Sequence, residues 1–309
     1  MKINKITTML IAVSAMLLLL PVNSVFAKKS KFKVPKVTEA PKIDGEADKA
    51  WNKGRRVKVD LEGEVMMDAK MIHDGKNLYI LLQWPDKDES MNRALENAGG
   101  WKRQKGNQDA VNIFWDINVD KFDKKGCRQV CHEAMGGKAA AMNTNSPKEV
   151  ADLWVWGSNT TNPLGYMDDL HMGEKPQNVD GVNTPFVPDK ATSGGNKPNL
   201  EGGKPKFSPA SGSGNVMLKS NTKPFSGGNT APADILEKPA GSRGDITAKG
   251  VWKDGKWTLE ISRPLKTADA ANDVQFADKK KKYIMGISLH NNTDKDSHFK
   301  SDIIEVTLD

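Results

Sequence analysis

The residues best placed for chemistry lie in one short run, "KKGCRQVCHEAMGG", Lys124 to Gly137. It holds both cysteines of the chain, Cys127 and Cys131, and His132 follows the second directly. Two thiols can add across the vinyl groups of a haem while an adjacent histidine takes the iron from the same side. The usual spacing for that attachment is Cys-x-x-Cys-His. Here it is Cys-x-x-x-Cys-His, one residue wider, with Gly126, Gly136 and Gly137 as flanks whose backbone can approach a flat macrocycle. The competing reading is a Cys127–Cys131 disulfide beside an incidental histidine. Zinc fits poorly, because a structural site needs four ligands and one histidine is at hand.

A haem iron of this kind takes a second axial ligand, commonly methionine or histidine. Met135 is too near His132 to reach the opposite face. Met142, ten residues after His132, is far enough away to loop back, and Met167 and Met172 are further candidates. Near the C-terminus "LHNNTDKDSHFKSD" adds His290, His298 and Lys300. A lysine ligand must be neutral. Deprotonating it at pH 7 costs roughly 4–5 kcal/mol, so elementary physics prefers methionine or histidine over Lys300. Each candidate also has an ordinary role, methionine as core filling and histidine as a turn residue.

The elements that must position such a group begin with an export signal. Lys2 and Lys5 precede an apolar run over residues 9–20, and Val25 and Ala27 are the small residues of a cleavage site after Ala27. This pattern marks residues 1–27 as a secretory signal peptide. The apolar run is shorter than the ~20 residues that span a bilayer. The mature chain is therefore expected to be soluble, periplasmic or otherwise exported, and without a membrane span. Losing Lys2 and Lys5 lowers the formal charge of +7 by two, leaving a mild and scattered basic excess. Nucleic acid is not a partner to expect outside the cytoplasm; an acidic protein surface is.

After a basic linker, residues 28–36, "PKIDGEADKAW" turns at Asp44-Gly45 and carries Trp51 toward a core. "AKMIHDGKNLYILLQWPD" reads as a hairpin turning at Asp74-Gly75, with Leu78, Ile80 and Leu82 on one face. "DAVNIFWDINVD" aligns Val111, Ile113 and Trp115. "GVWKDGKWTLEISRPL" turns at Asp254-Gly255 and sets Trp257, Leu259 and Ile261 against Thr258, Glu260 and Ser262. "KYIMGISLHNN" and "SDIIEVTL" supply the last two strands. Period-two alternation with Asx-Gly turns predicts an all-β fold, an antiparallel β-sandwich. Residues 173–241 are dense in Gly, Pro, Ser and Asn. Residues 37–120 hold too few strands to close a sandwich without those after residue 245. The reading is thus one domain, 37–309, with 173–241 as a long irregular excursion of the kind that wraps a ligand or partner.

Five segments, "PKIDGEADKAW", "CRQVCHEAM", "ADLWVWGSNTTNPLGYMDD", "GSRGDITAKGVWKDGKWTLEISRPL" and "HFKSD", carry a resemblance in order and spacing. Together they resemble the haem-binding domain of the ethylbenzene dehydrogenase gamma subunit, over about residues 37 to 309. The resemblance implies a β-sandwich with short helical loops around a haem, and electron transfer without catalysis. The chain would be the gamma subunit of a periplasmic molybdenum oxidoreductase, with a molybdopterin catalytic subunit and an iron–sulfur subunit as partners, or a free-standing c-type cytochrome with a soluble redox partner. By position Met142 and Lys300 match the family's methionine and lysine ligands of a b-type haem. Members with a Cys-x-x-x-Cys-His segment resemble c-type versions. That implies haem c on Cys127 and Cys131, with His132 axial and Met142, Lys300 or His298 opposite; haem b in addition or instead is the variant. The chain departs from the family at "WVWG", where Val155 and Gly157 stand in positions often held by histidine and lysine. The alternative is a carbohydrate-binding β-sandwich module with a Cys127–Cys131 disulfide. Eight tryptophans permit it, and so does the "IDG…W" opening, which carbohydrate-binding sandwiches share. No paired carboxylates, nucleophile elbow or phosphate loop with convincing context points to an enzyme.

Overall fold

The long alternating runs form the long strands. The computed structural model describes residues 29–104, 108–132, 141–179, 182–211, 214–292 and 298–309. Strands β1 (Ser30–Val34), β2 (Val57–Leu61), β3 (Val65–His73) and β4 (Asn77–Pro85) come first, β3 and β4 turning at Asp74-Gly75. Two short strands, β5 (Ala94–Asn97) and β6 (Trp101–Arg103), precede β7 (Ala110–Asp116). Then come β8 (Ala151–Gly157), β9 (Tyr166–Val179), β10 (Val182–Pro188) and the short β11 (Thr230–Pro232). The C-terminal third supplies β12 (Ile246–Lys253), β13 (Lys256–Pro264), β14 (Tyr283–His290), β15 (His298–Lys300) and β16 (Ile304–Leu308).

One large sheet runs β1-β16-β14-β7-β8-β9-β12-β13-β4-β3-β2, with β10 beside β9 and β15 beside β14. The β1–β16 pair is parallel and its neighbours are antiparallel. The two ends of this path come back together. β1 lies against β2 and β3, and Leu61 bridges to Ser301. The sheet thus folds over on itself as a nearly closed sandwich.

The alternation read in the sequence decides what lies between the two halves. Val111, Ile113 and Trp115 of β7, Trp154 and Trp156 of β8, Leu78, Ile80 and Leu82 of β4, and Trp257, Leu259 and Ile261 of β13 share one core. Trp84 stacks on Trp257 with ring centroids 6.2 Å apart, Trp156 meets Trp257 edge-on at 5.1 Å, and Trp115 tilts onto Trp154 at 5.4 Å. Truncating any of these rings to alanine would cost roughly 3–5 kcal/mol.

Both outer faces are partly covered. Over β7, β8 and β9, a short helix (Phe122–Lys125) and a 3-10 turn (Gly126–Gln129) lay Val119, Phe122, Cys127 and Val130 on Phe114, Leu153, Leu170 and Met172. Over β3 and β4, the "IDG…W" segment lays Trp51 on Ile72, Tyr79 and Leu81. Glu260 of β13 fastens that segment, accepting from Trp51 Nε1 at 2.6 Å, Gly45 N at 2.8 Å and Asp44 N at 3.1 Å. Gly45 has φ +86°, a left-handed conformation that favours glycine, and a Cβ there would run into Val251 Cγ2.

The Gly/Pro-rich stretch folds into short paired strands. Ala191–Ser193 pairs with Ala240–Gly241, Lys197–Pro198 with Asp234–Ile235, Leu200–Glu201 with Lys204–Pro205, and Phe207–Pro209 with Thr222–Pro224. Three of these pairs contain proline, which contributes no N–H to a ladder and keeps them short. β11 adds to β5 and β6 as a separate three-stranded sheet.

Candidate functional site

The expected iron site gathers around β14. Gly286, Ser288 and His290 alternate onto the outer face of this strand, away from Met285, Ile287 and Leu289 in the core. Cys127 is 1% exposed and seated against Gly286: its N, Cβ and Sγ would lie 3.1–3.4 Å from a Cβ at that glycine. Lys300 pairs with Ser288 and His298 with His290 in the β14–β15 register. Lys300 is buried, and its backbone N donates to Glu62 Oε2 at 3.1 Å. The rings of His290 and His298 stack 5.1 Å apart, and His290 Nε2 lies 3.1 Å from Asn112 Nδ2 and 3.2 Å from Ser288 Oγ. Burial, then the positive character of His298 and Lys300, lowers His290 to about 4, so its ring is neutral at pH 7.

Cys131–His132 pairs with Ala141–Met142, Cys131 opposite Met142 and His132 opposite Ala141. The side chains of Cys131, His132 and Met142 lie outside the described residues. Met167 is fully buried in the main core and Met172 in the outer apolar cluster.

These surroundings do not fit a porphyrin attached through Cys127. Its thiol is packed among Phe114, Phe122, Val130 and Leu153, with β14 directly beneath. Two cavities among the described residues, about 400 Å³ along Glu39–Ala50 and about 290 Å³ between Lys76 and Leu308, touch neither Cys127 nor Lys300.

A different surface carries exposed binding chemistry. Six of the eight tryptophans are at most 1% exposed. Trp101 and Trp252 are half-buried. The Trp252 indole is committed, donating from Nε1 to Asp86 O at 2.9 Å. Trp101 belongs to the small β11-β5-β6 sheet and packs with Phe225 and Leu200 over Leu95, Ala231 and Ala233. Its ring meets Phe225 edge-on, centroids 5.3 Å apart at 89°. Gly99 and Gly100, with φ +76° and +132°, make the turn that delivers Trp101 to the surface.

Two residues along β6, and so on the same side, Arg103 Nη2 donates to Asp234 Oδ1 at 2.7 Å; Arg93 Nε donates to Asp234 Oδ2 at 2.9 Å. One carboxylate therefore holds two guanidinium groups beside the ring pair, each still partly solvent-accessible. Asn97, opposite Trp101 in the register, is exposed and adds an amide. The combination offers an apolar ring face with fixed hydrogen-bond donors at its edge. Sequence reasoning missed this group. The one local signal is a tryptophan following Gly99-Gly100 in a polar run; the pairing of Arg93 and Arg103 with Asp234 spans more than a hundred residues.

A family model described as Ethylbenzene dehydrogenase matches residues 23–301. Among curated proteins nothing matches the chain. Among solved structures, a carbohydrate binding module family 9 from Caldicellulosiruptor kristjanssonii in complex with cellotriose is similar at 11% identity. The match covers 90% of this chain and 93% of that one, with a TM-score of 0.39. The same kind of module from that organism in complex with glucose is similar at 11% identity over 90% and 95%, with a TM-score of 0.37. The expectation of an exported haem electron carrier is corrected on the packing of Cys127. Cys127 of the expected attachment pair is 1% exposed and packed into an apolar cluster with Phe114, Phe122 and Leu153. The reading as a cytochrome, with molybdopterin and iron–sulfur partners, is set aside with it. No described helix is long and apolar enough to cross a membrane, and the expected signal peptide, residues 1–27, lies outside the described residues.

Proposed function

The chain belongs to the ethylbenzene dehydrogenase family, and we propose that it acts as an exported, non-catalytic carbohydrate-binding β-sandwich module. The observation that carries this reading is the half-exposed Trp101–Phe225 pair beside the Arg93–Asp234–Arg103 group. A pyranose presents a flat face of C–H groups and a rim of hydroxyls. The C–H face stacks on an indole, and the rim takes donors held in place beforehand. Asp234 fixes both guanidiniums, so little side-chain freedom is lost when they engage a hydroxyl. The packed remainder of the domain serves as the rigid scaffold for this surface.

Cellotriose, with consecutive β-linked glucose faces, is the probe that suits such a platform, and it is the sugar held by the similar module named above. Titration calorimetry of the full chain with cellotriose is expected to show saturable binding. Replacing a central aromatic anchor typically costs 2 kcal/mol or more, so Trp101→Ala should weaken binding about thirtyfold while leaving Tm within a few degrees. Arg103→Ala is expected to weaken it less. Equal affinity of wild type and Trp101→Ala, or no binding of any β-glucan oligosaccharide at millimolar concentration, overturns the reading.

A further inference from the structure

One end of the sandwich interior is acidic. Asp152 and Trp154 share the inward face of β8, and Asp169 of β9 stands directly opposite Trp154 in the register. Asp273 arrives from the segment between β13 and β14, which closes this end. There Val274 N donates to Asp152 Oδ2 at 2.8 Å, and Arg263 Nη1 donates to Val274 O at 2.9 Å. One ligand oxygen from each of Asp152, Asp169 and Asp273 lies within 4.8 Å of the other two, and all three residues are at most 1% exposed.

Arg263 is the cation in contact with them, 3.2 Å from Asp273, 3.3 Å from Asp169 and 3.5 Å from Asp152. With all three ionised, the one guanidinium leaves two negative charges uncompensated. The hydrogen bonding is incomplete as well: Oδ1 of Asp152, of Asp169 and of Asp273 is buried without a partner. A fourth element points the same way. Asp189, just beyond β10, has a fully buried side chain whose Oδ1 is 2.6 Å from His171 Nδ1. Its Oδ2 has no hydrogen-bond partner, and its carboxyl is turned toward Asp273. Buried polar atoms in native proteins are nearly always satisfied, and an orphaned carboxylate oxygen is among the costliest exceptions. Four of them converging from four separate segments ask for a ligand.

We propose that the buried cluster of Asp152, Asp169 and Asp273 binds a divalent cation, Ca2+ by its donor chemistry, with Asp189 completing the oxygen shell. The three core donors are hard oxygens. A spacing of up to 4.8 Å accommodates metal–oxygen bonds of about 2.3–2.6 Å, and calcium tolerates the irregular geometry that these side chains present. Two positive charges cancel the excess that Arg263 leaves. Burial pushes the carboxyls of Asp152 and Asp169 up, as it should where the compensating charge is missing. The ion would tie β8, β9, the closing segment and the start of the Gly/Pro-rich stretch together. This inference is independent of the sugar-binding reading.

The test uses the full chain, stripped with EDTA and exchanged into metal-free buffer. Calorimetric titration with CaCl2 is expected to give one tight site per chain. Tm should rise by about 5 °C or more at a hundredfold excess over Kd. Asp273→Asn should weaken binding at least tenfold. Should that variant not fold, terbium decides: Tb3+ bound here is excited by the indole of Trp154, over which Arg263 lies at 4.9 Å. Sensitised luminescence that Ca2+ quenches by displacement in wild type, and that Trp154→Phe removes without changing the Ca2+ affinity, supports the site. No Ca2+-dependent change in Tm together with no Trp154-dependent terbium signal overturns it, leaving carboxyls that share protons around Arg263.

Discussion

Glu260→Gln is the sharpest probe of how the N-terminal segment is held. The carboxylate accepts from three donors, Trp51 Nε1 at 2.6 Å, Gly45 N at 2.8 Å and Asp44 N at 3.1 Å. Hydrogen bonds to a charged acceptor are worth about 1.5–3 kcal/mol each. Glutamine keeps one oxygen for the indole but turns an NH2 group toward the two backbone N–H donors, so both of those bonds are lost. Part of that loss is offset, because burial raises the pKa of Glu260 and so penalises the charge that the substitution removes. The net expectation is a loss of about 2–4 kcal/mol, or roughly 5–10 °C in Tm. Trp51→Phe removes only the indole bond and should cost about 1–2 kcal/mol. The two substitutions share a partner, so their effects should fall short of additivity by about 1 kcal/mol in a double-mutant cycle. Urea unfolding followed by near-ultraviolet circular dichroism measures all three variants. A Glu260→Gln loss below about 1 kcal/mol, or strict additivity with Trp51→Phe, would refute the reasoning.

Gly250→Ala is expected to destabilise by about 1–3 kcal/mol, because its Cβ would overlap the Trp156 indole in a filled core; an unchanged urea midpoint would contradict this. Burial, then Asp109, raises Asp86 from its ordinary 3.8 to about 6. A raised carboxyl favours the folded state below its unfolded pKa, so its contribution, roughly 3 kcal/mol at most, is lost as pH rises from about 4 through 6. Asp86→Asn should flatten that part of the stability–pH curve. His290 has the opposite sign, since its pKa is lowered from 6.5 to about 4. Its contribution is present above 6.5 and lost as pH falls through 4, and His290→Asn should remove that acid-side decline.

What the sequence made legible follows the range of its signals. Alternation is local, so Val111, Ile113 and Trp115 could be placed on one buried face, and Asp74-Gly75 and Asp254-Gly255 on hairpins, from a few neighbouring residues. Glu260 shows the limit. Alternation put it opposite Trp257 and Leu259, where a charged residue reads as solvent-facing, yet the residue is fully buried because a segment 215 positions away folds over it. The short strands of the Gly/Pro-rich stretch left no period to read, since proline interrupts three of the pairs after two or three residues.

The same limit makes the cysteine–histidine run conspicuous in the sequence. Cys127, Cys131 and His132 are visible as a constellation because they are adjacent in the chain. In the fold, Cys127 is part of the apolar cover over Phe114 and Leu153. The acidic group is the reverse case. Asp152 and Asp169 meet through a register between β8 and β9, and Arg263 and Asp273 join them only because the sheet folds over. Scattered aspartates carry no spacing signature, and in a chain that is 28% charged each one reads as surface. What marks them as exceptional is full burial with oxygens left unpartnered, a property of the closed sandwich and of no single stretch of it. In a fold whose halves are joined by long-range pairing, the chemistry most worth testing is the chemistry that closure creates.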